Sequence, residues 1–321
     1  MSGDRTLDTL ASQWGEVLDA QIRAQRPGLT LQAVPGGVPD APLPDHVRVL
    51  LVRPFPPEQR NAPPPAGWPW GLRWVQLISV GVDFYPRWLL ETPGVQVSTA
   101  HGSSSETIAD FALASILRVQ LRLEERRARA AADWRFTEAP PLAGSTLGLV
   151  GFGGIGRALA RKALALGLRV LALRRSDAPF DLPGVERAPD LAALLHASDH
   201  LVLAAPGTAE TRHLIGAEAL AQARPGLHLV NVARGSLVDQ DALRTALDSG
   251  RVGWASLDVT EPEPLPAGHW LYQHPRVWLT PHTCPVSPQV HQALVAKLLR
   301  SLDRLAAGQP PEDLVQLSRG Y

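Results

Sequence analysis

Cysteine is nearly absent: the 321-residue chain has one, so no intrachain disulfide can form and a reducing compartment is expected. Excess charge of either sign is absent too, with 31 Lys plus Arg against 31 Asp plus Glu. That balance gives no reason to expect binding to nucleic acid or to an anionic membrane. No apolar run approaches the roughly 20 residues needed to span a bilayer, and no basic region followed by an apolar signal segment opens the chain. No metal is expected. These absences leave a cytoplasmic globular protein of about two domains whose partner is a small molecule.

What is present centres on residues 145–176, STLGLVGFGGIGRALARKALALGLRVLALRRS. Thr146 to Val150 is an apolar run suited to a strand buried on both faces. GFGGIG then places Gly151, Gly153 and Gly156 where the chain must turn into a helix. Gly151 permits the turn, Gly153 lets backbone approach a pyrophosphate, and Gly156 lets the helix pack near its strand, with phosphates at the helix N-terminus beside Gly154 and Ile155. Apolar residues recur along that helix at Ile155, Leu159, Ala163 and Leu166, Gly167 ends it, and Leu168 to Leu173 supplies the next strand.

Before this unit, Trp14 to Ile22 has helical spacing and Leu29 to Val34 alternates as a strand does. Val47 to Val52, Trp74 to Ser79 and Val95 to Thr99 are further strands, and Pro54 to Pro69 reads as a stiff surface loop. Ser105 to Ala131 is expected to be one long helix, capped by Ser105, with Arg122, Arg126, Arg127 and Arg129 on a solvated face. After the unit, helices at Leu191 to His196 and Gln240 to Leu247 alternate with strands at Leu201 to Ala204, Leu227 to Val232, Trp254 to Leu257 and Val277 to Thr280. A helix from Ser287 to Ala307 closes the chain. The alternation predicts an α/β protein: a Rossmann-type doubly wound parallel sheet with a second, smaller, flavodoxin-like α/β domain.

Three strand ends carry chemistry, since ligands in open α/β sheets bind at the carboxyl ends of strands. NVARGSLVD puts Arg234 past one strand, LDVTEPEP puts Asp258 and Glu263 past the next, and LTPHT puts His282 past the last. Singly, these are an ordinary surface arginine, a loop glutamate and a turn histidine. Together they supply a guanidinium, a carboxylate and an imidazole at the edge that holds a dinucleotide.

The glycine turn, NVARGSLVD, ASLDVTEPEPLP and LTPHT, in this order, resemble the D-isomer-specific 2-hydroxyacid dehydrogenase family. SVGVD at 79–83 and the helix beginning SSSETIADFAL share the likeness, although Asp110 stands where Glu is usual. The resemblance implies a substrate domain built from both chain ends (1–104 and 286–321), a dinucleotide-binding domain between them (105–285), and a homodimer whose arm is the segment through Trp134 to Pro141. It implies Arg234, Glu263 and His282 as the catalytic residues. Arg234 binds and polarises the 2-oxo acid, His282 protonates its ketone oxygen, and Glu263 favours the charged imidazole, raising its pKa from about 6.5. Ser79, Val80 and Gly81 are expected at the substrate carboxylate with Arg234 and His282, and Asp258 at the nicotinamide amide. Val232, Ala233, Pro206 and Thr211 complete the dinucleotide site. Arg53 is an additional candidate at the substrate, with a surface role as the alternative. Thr283, Cys284 and Pro285 replace the small residues that follow the histidine in many relatives, and Cys284 is read as an apolar filler.

The expected reaction is hydride transfer between NADP(H) and a small 2-oxo acid, as in glyoxylate or hydroxypyruvate reductases. Phosphoglycerate dehydrogenase and a dinucleotide-sensing, corepressor-like binding protein are the alternatives. NADP is favoured because Arg174, Arg175 and Ser176 stand about 20 residues beyond the glycine turn, where NAD-binding relatives carry an acid. NAD is the alternative cofactor.

Overall fold

The structure, a computed structural model, describes residues 7–317. It divides into two compact units, one of residues up to Ser104 together with those from Ser287 onward, the other Ser105–Val286.

The first unit opens with β1 (Thr9–Ser12), α1 (Glu16–Gln25), β2 (Thr30–Ala33), β3 (Val49–Val52), β4 (Trp74–Leu77), α2 (Arg87–Leu90) and β5 (Gln96–Ser98). All strand pairings are parallel, in the order β2-β1-β3-β4-β5. This is the flavodoxin-like order. β3 and β4 are buried at every residue; β3 is an unbroken apolar run, and in β4 the buried Gln76 is satisfied by donating to the Leu77 carbonyl and accepting from the Ser98 hydroxyl. β1 departs from the expected start at a helix. TLAS is too short and mixed to announce a strand, yet Leu10 and Ala11 are fully buried. The proline-rich loop also differs from a plain surface loop: Phe55 is buried, and Trp68 packs edge-to-face on Trp70 and Trp88.

The second unit contains α3 (Ser105–Gln120), β6 (Thr146–Val150), α4 (Gly154–Ala165), β7 (Arg169–Leu173), β8 (Val185–Arg187), α5 (Leu191–Ala197), β9 (His200–Leu203), α6 (Ala217–Ala221), β10 (Leu227–Asn231), α7 (Gln240–Asp248), β11 (Val252–Leu257) and β12 (Val277–Leu279). Its seven-stranded sheet runs β12-β11-β10-β9-β6-β7-β8. The strand order reverses between β6 and β9, the switch point at which doubly wound sheets bind ligands. The last helix, α8 (Pro288–Ala306), belongs to the first unit, with the Ser287 hydroxyl accepting from the Val290 amide at its start.

α3 stops well short of Ala131, and Ser105 is its first residue rather than its cap. The Leu123 amide donates to the Arg118 carbonyl and the Arg122 amide to that of Val119, with Arg122 at φ 50°. This pattern of two closing bonds around a left-handed residue ends a helix, and glycine is its usual occupant. An arginine there conceals the stop. The four arginines beyond Leu121 therefore lie on turns rather than along a helix face. Arg122 and Arg129 face Glu125 and Glu124, and Arg126 donates to the Thr137 carbonyl.

A line of polar side chains crosses the sheet. Gln120 donates through Nε2 to the Pro141 carbonyl (2.8 Å), which leaves its Oε1 to accept from His200 Nε2 (3.0 Å). His200 Nδ1 must then accept from His228 Nδ1 (3.1 Å), and His228 Nε2 from the Ser256 hydroxyl (2.9 Å). Both imidazoles are buried and, bonded in this sense, both are neutral. Burial holds the His200 pKa down at about 4 despite the Asp199 carboxylate, and it pushes that of His228 well below 6.5, helped by His200 and Arg118. Among the described residues, no helix is long and apolar enough to cross a membrane.

Candidate active site

The glycine turn is shaped by what cannot fit beside it. Gly151 has φ 97°, and a Cβ there would stand 2.7 Å from the Ala204 carbonyl oxygen on the neighbouring strand end. A Cβ on Gly156 would lie 2.5 Å from the Gly151 oxygen, so the first turn of α4 rests directly on the loop. Gly154 is tight against Ser105. Gly153 is different: nothing lies within 4 Å of where its Cβ would be, and no side chain caps the helix it precedes. The start of this 12-residue helix, at Gly154, Ile155 and Gly156, thus adjoins bare backbone with no capping side chain over it. That is the cradle a pyrophosphate needs, and the residues present fit a dinucleotide.

Past β7, Arg174 is already engaged. Its guanidinium donates to the carbonyls of Ser176 (3.3 Å), Ala178 and Pro179 (2.9 Å) and lies 4.9 Å from the Phe180 ring centre. Arg187 bonds the carbonyls of Ser176 and Ala178 and meets the same ring. Arg174 therefore shapes its loop instead of reaching outward. Arg175 is exposed and, among the described residues, makes no hydrogen bond or ion pair; its charge helps to hold the Glu210 carboxyl below the usual range, after hydrogen bonds from Thr208 and from the Glu210 backbone. Past β9, the Thr211 hydroxyl donates to the Pro206 carbonyl (2.7 Å) and accepts from the Thr208 amide (2.8 Å), closing that loop on itself.

Past β10, Val232 and Ala233 are buried and Arg234 is half-buried. Arg234 donates through a terminal nitrogen to the Ala233 carbonyl (2.7 Å). Asn231 locks the turn from below: its Nδ2 donates to the Arg234 carbonyl (2.8 Å) and its Oδ1 accepts from the Ala233 amide (3.1 Å). Two glycines make room. A Cβ on Gly207 would stand 2.9 Å from Arg234 Cγ, and one on Gly235 would overlap the Thr260 carbonyl group. Asn231, Gly207 and Gly235 escaped sequence reasoning, since only the packed turn gives them a role.

Past β11, Asp258 is 1% exposed. Its Oδ1 accepts from the Thr280 hydroxyl (2.6 Å) and the Thr283 amide (3.0 Å), and its Oδ2 from the Cys284 amide (3.1 Å). Oδ2 takes a single donor, so the carboxylate expected at the nicotinamide amide keeps acceptor capacity there. Cys284 is buried in the core beneath α4, and burial, then Asp258, pushes its thiol pKa up. It is therefore no nucleophile at neutral pH.

Past β12, His282 sits at φ 53°, a left-handed conformation that costs a non-glycine residue of order 1–3 kcal/mol. Its Nδ1 meets Glu263 Oε2 at 2.9 Å, and Glu263 Oε1 accepts from the Thr260 amide at 3.0 Å. Burial pushes the Glu263 pKa up. The bonds from His282 and Thr260 and the charges of His282 and Arg234 outweigh it, and the carboxyl is held below its usual range. Glu263, His282 and Arg234, 48 residues apart at the extremes of sequence by their numbering, are therefore brought within electrostatic reach of one another. Ser79, Val80 and Gly81 lie past β4 in the other unit, where the Ser79 hydroxyl bonds the Gly81 carbonyl (2.8 Å) and the Tyr85 hydroxyl (2.9 Å).

A bare glycine cradle, a guanidinium and a carboxylate-bound imidazole at one sheet edge suit hydride transfer to a carbonyl, and comparison with known proteins agrees. The family description D-isomer specific 2-hydroxyacid dehydrogenase, NAD binding domain, matches residues 112–284. A glyoxylate reductase of Korarchaeum cryptofilum is 36% identical over 254 residues, 76% of each chain. A glyoxylate/hydroxypyruvate reductase B of Pectobacterium atrosepticum is 35% identical over 252 residues, 76% of this chain and 79% of that one. Among solved structures, a D-isomer specific 2-hydroxyacid dehydrogenase from Xanthobacter autotrophicus Py2, in complex with NADPH and MES, superposes with a TM-score of 0.83 at 29% identity, over 98% of this chain and 100% of that one. The chain belongs to the D-isomer specific 2-hydroxyacid dehydrogenase family, oxidoreductases that act on CH–OH groups with a nicotinamide dinucleotide.

Proposed function

We propose that this enzyme reduces a small 2-oxo acid of the glyoxylate or hydroxypyruvate class to the D-2-hydroxy acid, with NADPH preferred over NADH. The observation that carries the reading is the 2.9 Å contact between His282 Nδ1 and Glu263 Oε2 beside Arg234. Gly151, Gly153, Gly154, Ile155 and Gly156, with Pro206, Thr211, Val232 and Ala233, would hold a dinucleotide, whose chemistry when bound would be hydride donation. Arg234, oriented by Asn231, binds the substrate carboxylate and ketone oxygen and offsets the negative charge that develops on that oxygen. Glu263 accepts a hydrogen bond from the Nδ1–H of His282, which fixes the tautomer and directs Nε2 to the ketone oxygen that it protonates. The Ser79, Val80 and Gly81 turn is proposed to hold the substrate carboxylate through its amides.

The NADPH preference rests on Arg175 and Ser176. With Arg174 committed to its own loop, Arg175 is the guanidinium able to meet a 2′-phosphate. The Xanthobacter relative was solved with NADPH, in line with this choice. We also propose a homodimer. Leu123, Trp134 and Phe136 expose large apolar side chains in the segment after α3, and a second copy would cover them. One cysteine and balanced charge suit the cytoplasm.

The test is turnover of a panel of 2-oxo acids with NADPH and NADH. Glyoxylate or hydroxypyruvate with NADPH should give the highest kcat/KM, and His282→Ala should cut it by about 10² to 10⁴ while dinucleotide binding stays intact. Wild-type turnover in His282→Ala would remove the imidazole from the mechanism.

A further inference from the structure

Glu263 reaches His282 from a turn, 260–263, whose backbone is held by the first residue of a neighbouring helix. Gln240 opens α7, and its place is set by Asp239, whose carboxylate accepts from the amides of Asp241 (3.0 Å) and Ala242 (3.1 Å). From there the Gln240 side chain makes two bonds to one residue: its Nε2 donates to the Glu261 carbonyl (2.6 Å) and its Oε1 accepts from the Glu261 amide (3.3 Å). A side-chain amide thus pairs with backbone as a neighbouring strand would. The Thr260–Glu261 peptide also lies against Gly235, where a Cβ would stand 2.0 Å from the Thr260 carbonyl carbon. Inside the turn, Glu263 Oε1 accepts from the Thr260 amide, and the Thr260 hydroxyl donates to the Pro262 carbonyl (2.9 Å). The Glu263 carboxylate is therefore fixed relative to the 260–261 peptide, and that peptide is gripped by Gln240 and backed by Gly235. Arg212 also meets the Glu261 carboxylate (2.9 Å), but both side chains are about half exposed, and such a pair holds little.

We propose that Gln240 is a positioning residue for the proton-transfer step: by gripping the Glu261 backbone it sets how closely Glu263 meets His282. This deepens the reading of the site given above and rests on it. A primary amide suits the task because it carries both a donor and an acceptor, the two groups that a peptide unit outside a sheet or helix requires. An apolar side chain would leave the Glu261 N–H and carbonyl to water. The turn, closed on itself by Thr260 and Glu263, would then be free to shift as a unit. Its displacement is felt at the contact between Glu263 and His282, since a hydrogen bond weakens steeply as its geometry degrades.

Gln240→Met tests the proposal in the full-length enzyme with NADPH and glyoxylate, because methionine has a similar reach with no donor and only a weak acceptor. Its kcat is expected to fall by about 10-fold, within the loss on the order of 10² that a misplacement near 1 Å brings. The Kd for NADPH, from fluorescence titration, should stay within about 3-fold, the small change expected when reacting geometry and not binding contacts are lost. The alkaline limb of the kcat profile should move to lower pH, because a carboxylate held less closely favours the imidazolium less. A double-mutant cycle with Glu263→Gln separates positioning from general weakening. If Gln240 acts through Glu263, Gln240→Met should cost little kcat once the carboxylate is gone. Wild-type kcat with an unmoved limb in folded Gln240→Met would overturn the proposal, and so would a loss that adds in full to that of Glu263→Gln. Should Gln240→Met fail to fold, Gln240→Asn decides, because it keeps a polar group at the start of α7 and withdraws the amide by one methylene. A several-fold fall in kcat at constant Kd that vanishes in the Glu263→Gln background supports the proposal, and wild-type kcat overturns it. The parent reading fails separately: Glu263→Gln would itself turn over normally, whereas an impaired Glu263→Gln beside a fully active Gln240→Met refutes this inference alone.

Discussion

Acidification should loosen the dinucleotide-binding unit through His200 and His228 before it affects the reacting centre. The sign follows from proton uptake. An imidazole in the unfolded chain takes up its proton near pH 6.5, whereas His200 in the folded chain resists until about pH 4. Between those values the unfolded state binds more protons, so stability falls as pH is lowered and levels off below about 4. Moving one titration from 6.5 to about 4 is worth about 3 kcal/mol in full. His228 adds a loss of the same sign, because burial disfavours its charged form; a proton on His200 would set two N–H groups face to face across the 3.1 Å Nδ1 contact, and one on His228 would turn a donor toward the Ser256 hydroxyl that now donates to it. Asp199 moderates the effect at His200, and Arg118 reinforces it at His228. Hydrogen-exchange protection of the β9 and β10 amides, measured from pH 7 to 4.5 and corrected for intrinsic exchange, reports the opening free energy. It should fall by several kcal/mol in the wild type and much less in a His200→Leu/His228→Leu double variant. Parallel pH profiles for the two proteins would refute the reasoning.

Other perturbations bear on the site. Glu263→Gln replaces a charge-assisted bond to the imidazole by a neutral one, and kcat/KM for reduction should drop by about 10- to 100-fold at neutral pH; an unchanged value would mean that the pair has no part in turnover. The Glu263 contacts stabilise the fold fully above its ordinary pKa of 4.5 and are lost as pH falls through the lower folded value, so acid unfolding of this variant should lack that component below pH 4.5. Arg175→Ala should raise KM for NADPH by at least about 10-fold and leave NADH unaffected, as a lost charge-assisted contact to the 2′-phosphate requires. Arg174→Ala should chiefly disorder its own loop; equal NADPH kinetics in Arg175→Ala would return the dinucleotide choice to open question. Gly235→Ala would drive a methyl group into the Thr260 backbone and should either fail to fold or lose activity with Arg234 displaced; a Tm within a degree of wild type would contradict that packing.

Much of the architecture was legible because its signals are local. Strands such as 49–52 are continuous apolar runs, and a glycine turn between a strand and a helix declares a nucleotide unit by spacing alone. The doubly wound parallel class then followed from alternation. What stayed hidden depends on partners distant in sequence. Nothing in LRVQLR marks the end of α3, because the left-handed residue there is Arg122 rather than glycine. Arg174 looks like an outward cation until the Ala178 and Pro179 carbonyls and the Phe180 ring are in place around it. Asp258 follows a strand as ligand-binding acids do, and only the folded 280–284 segment reveals three donors converging on it. His200 and His228 carry no signature at all in sequence, being single polar residues in apolar strands.

The crowding around Arg234 also limits how this enzyme can diverge. Gly207 and Gly235 leave no volume for even a methyl group, and Asn231 is bonded on both faces of its amide, so the frame that presents the guanidinium is closed to drift by small steps. Thr283 is under no such restriction, because its bonds are made by its backbone amide and carbonyl and the residue is exposed. Arg175 is similarly unconstrained by its neighbours. A descendant of this chain could therefore acquire a new substrate or exchange dinucleotides through one or two substitutions at those positions, while the proton-transfer geometry passed unchanged from parent to offspring.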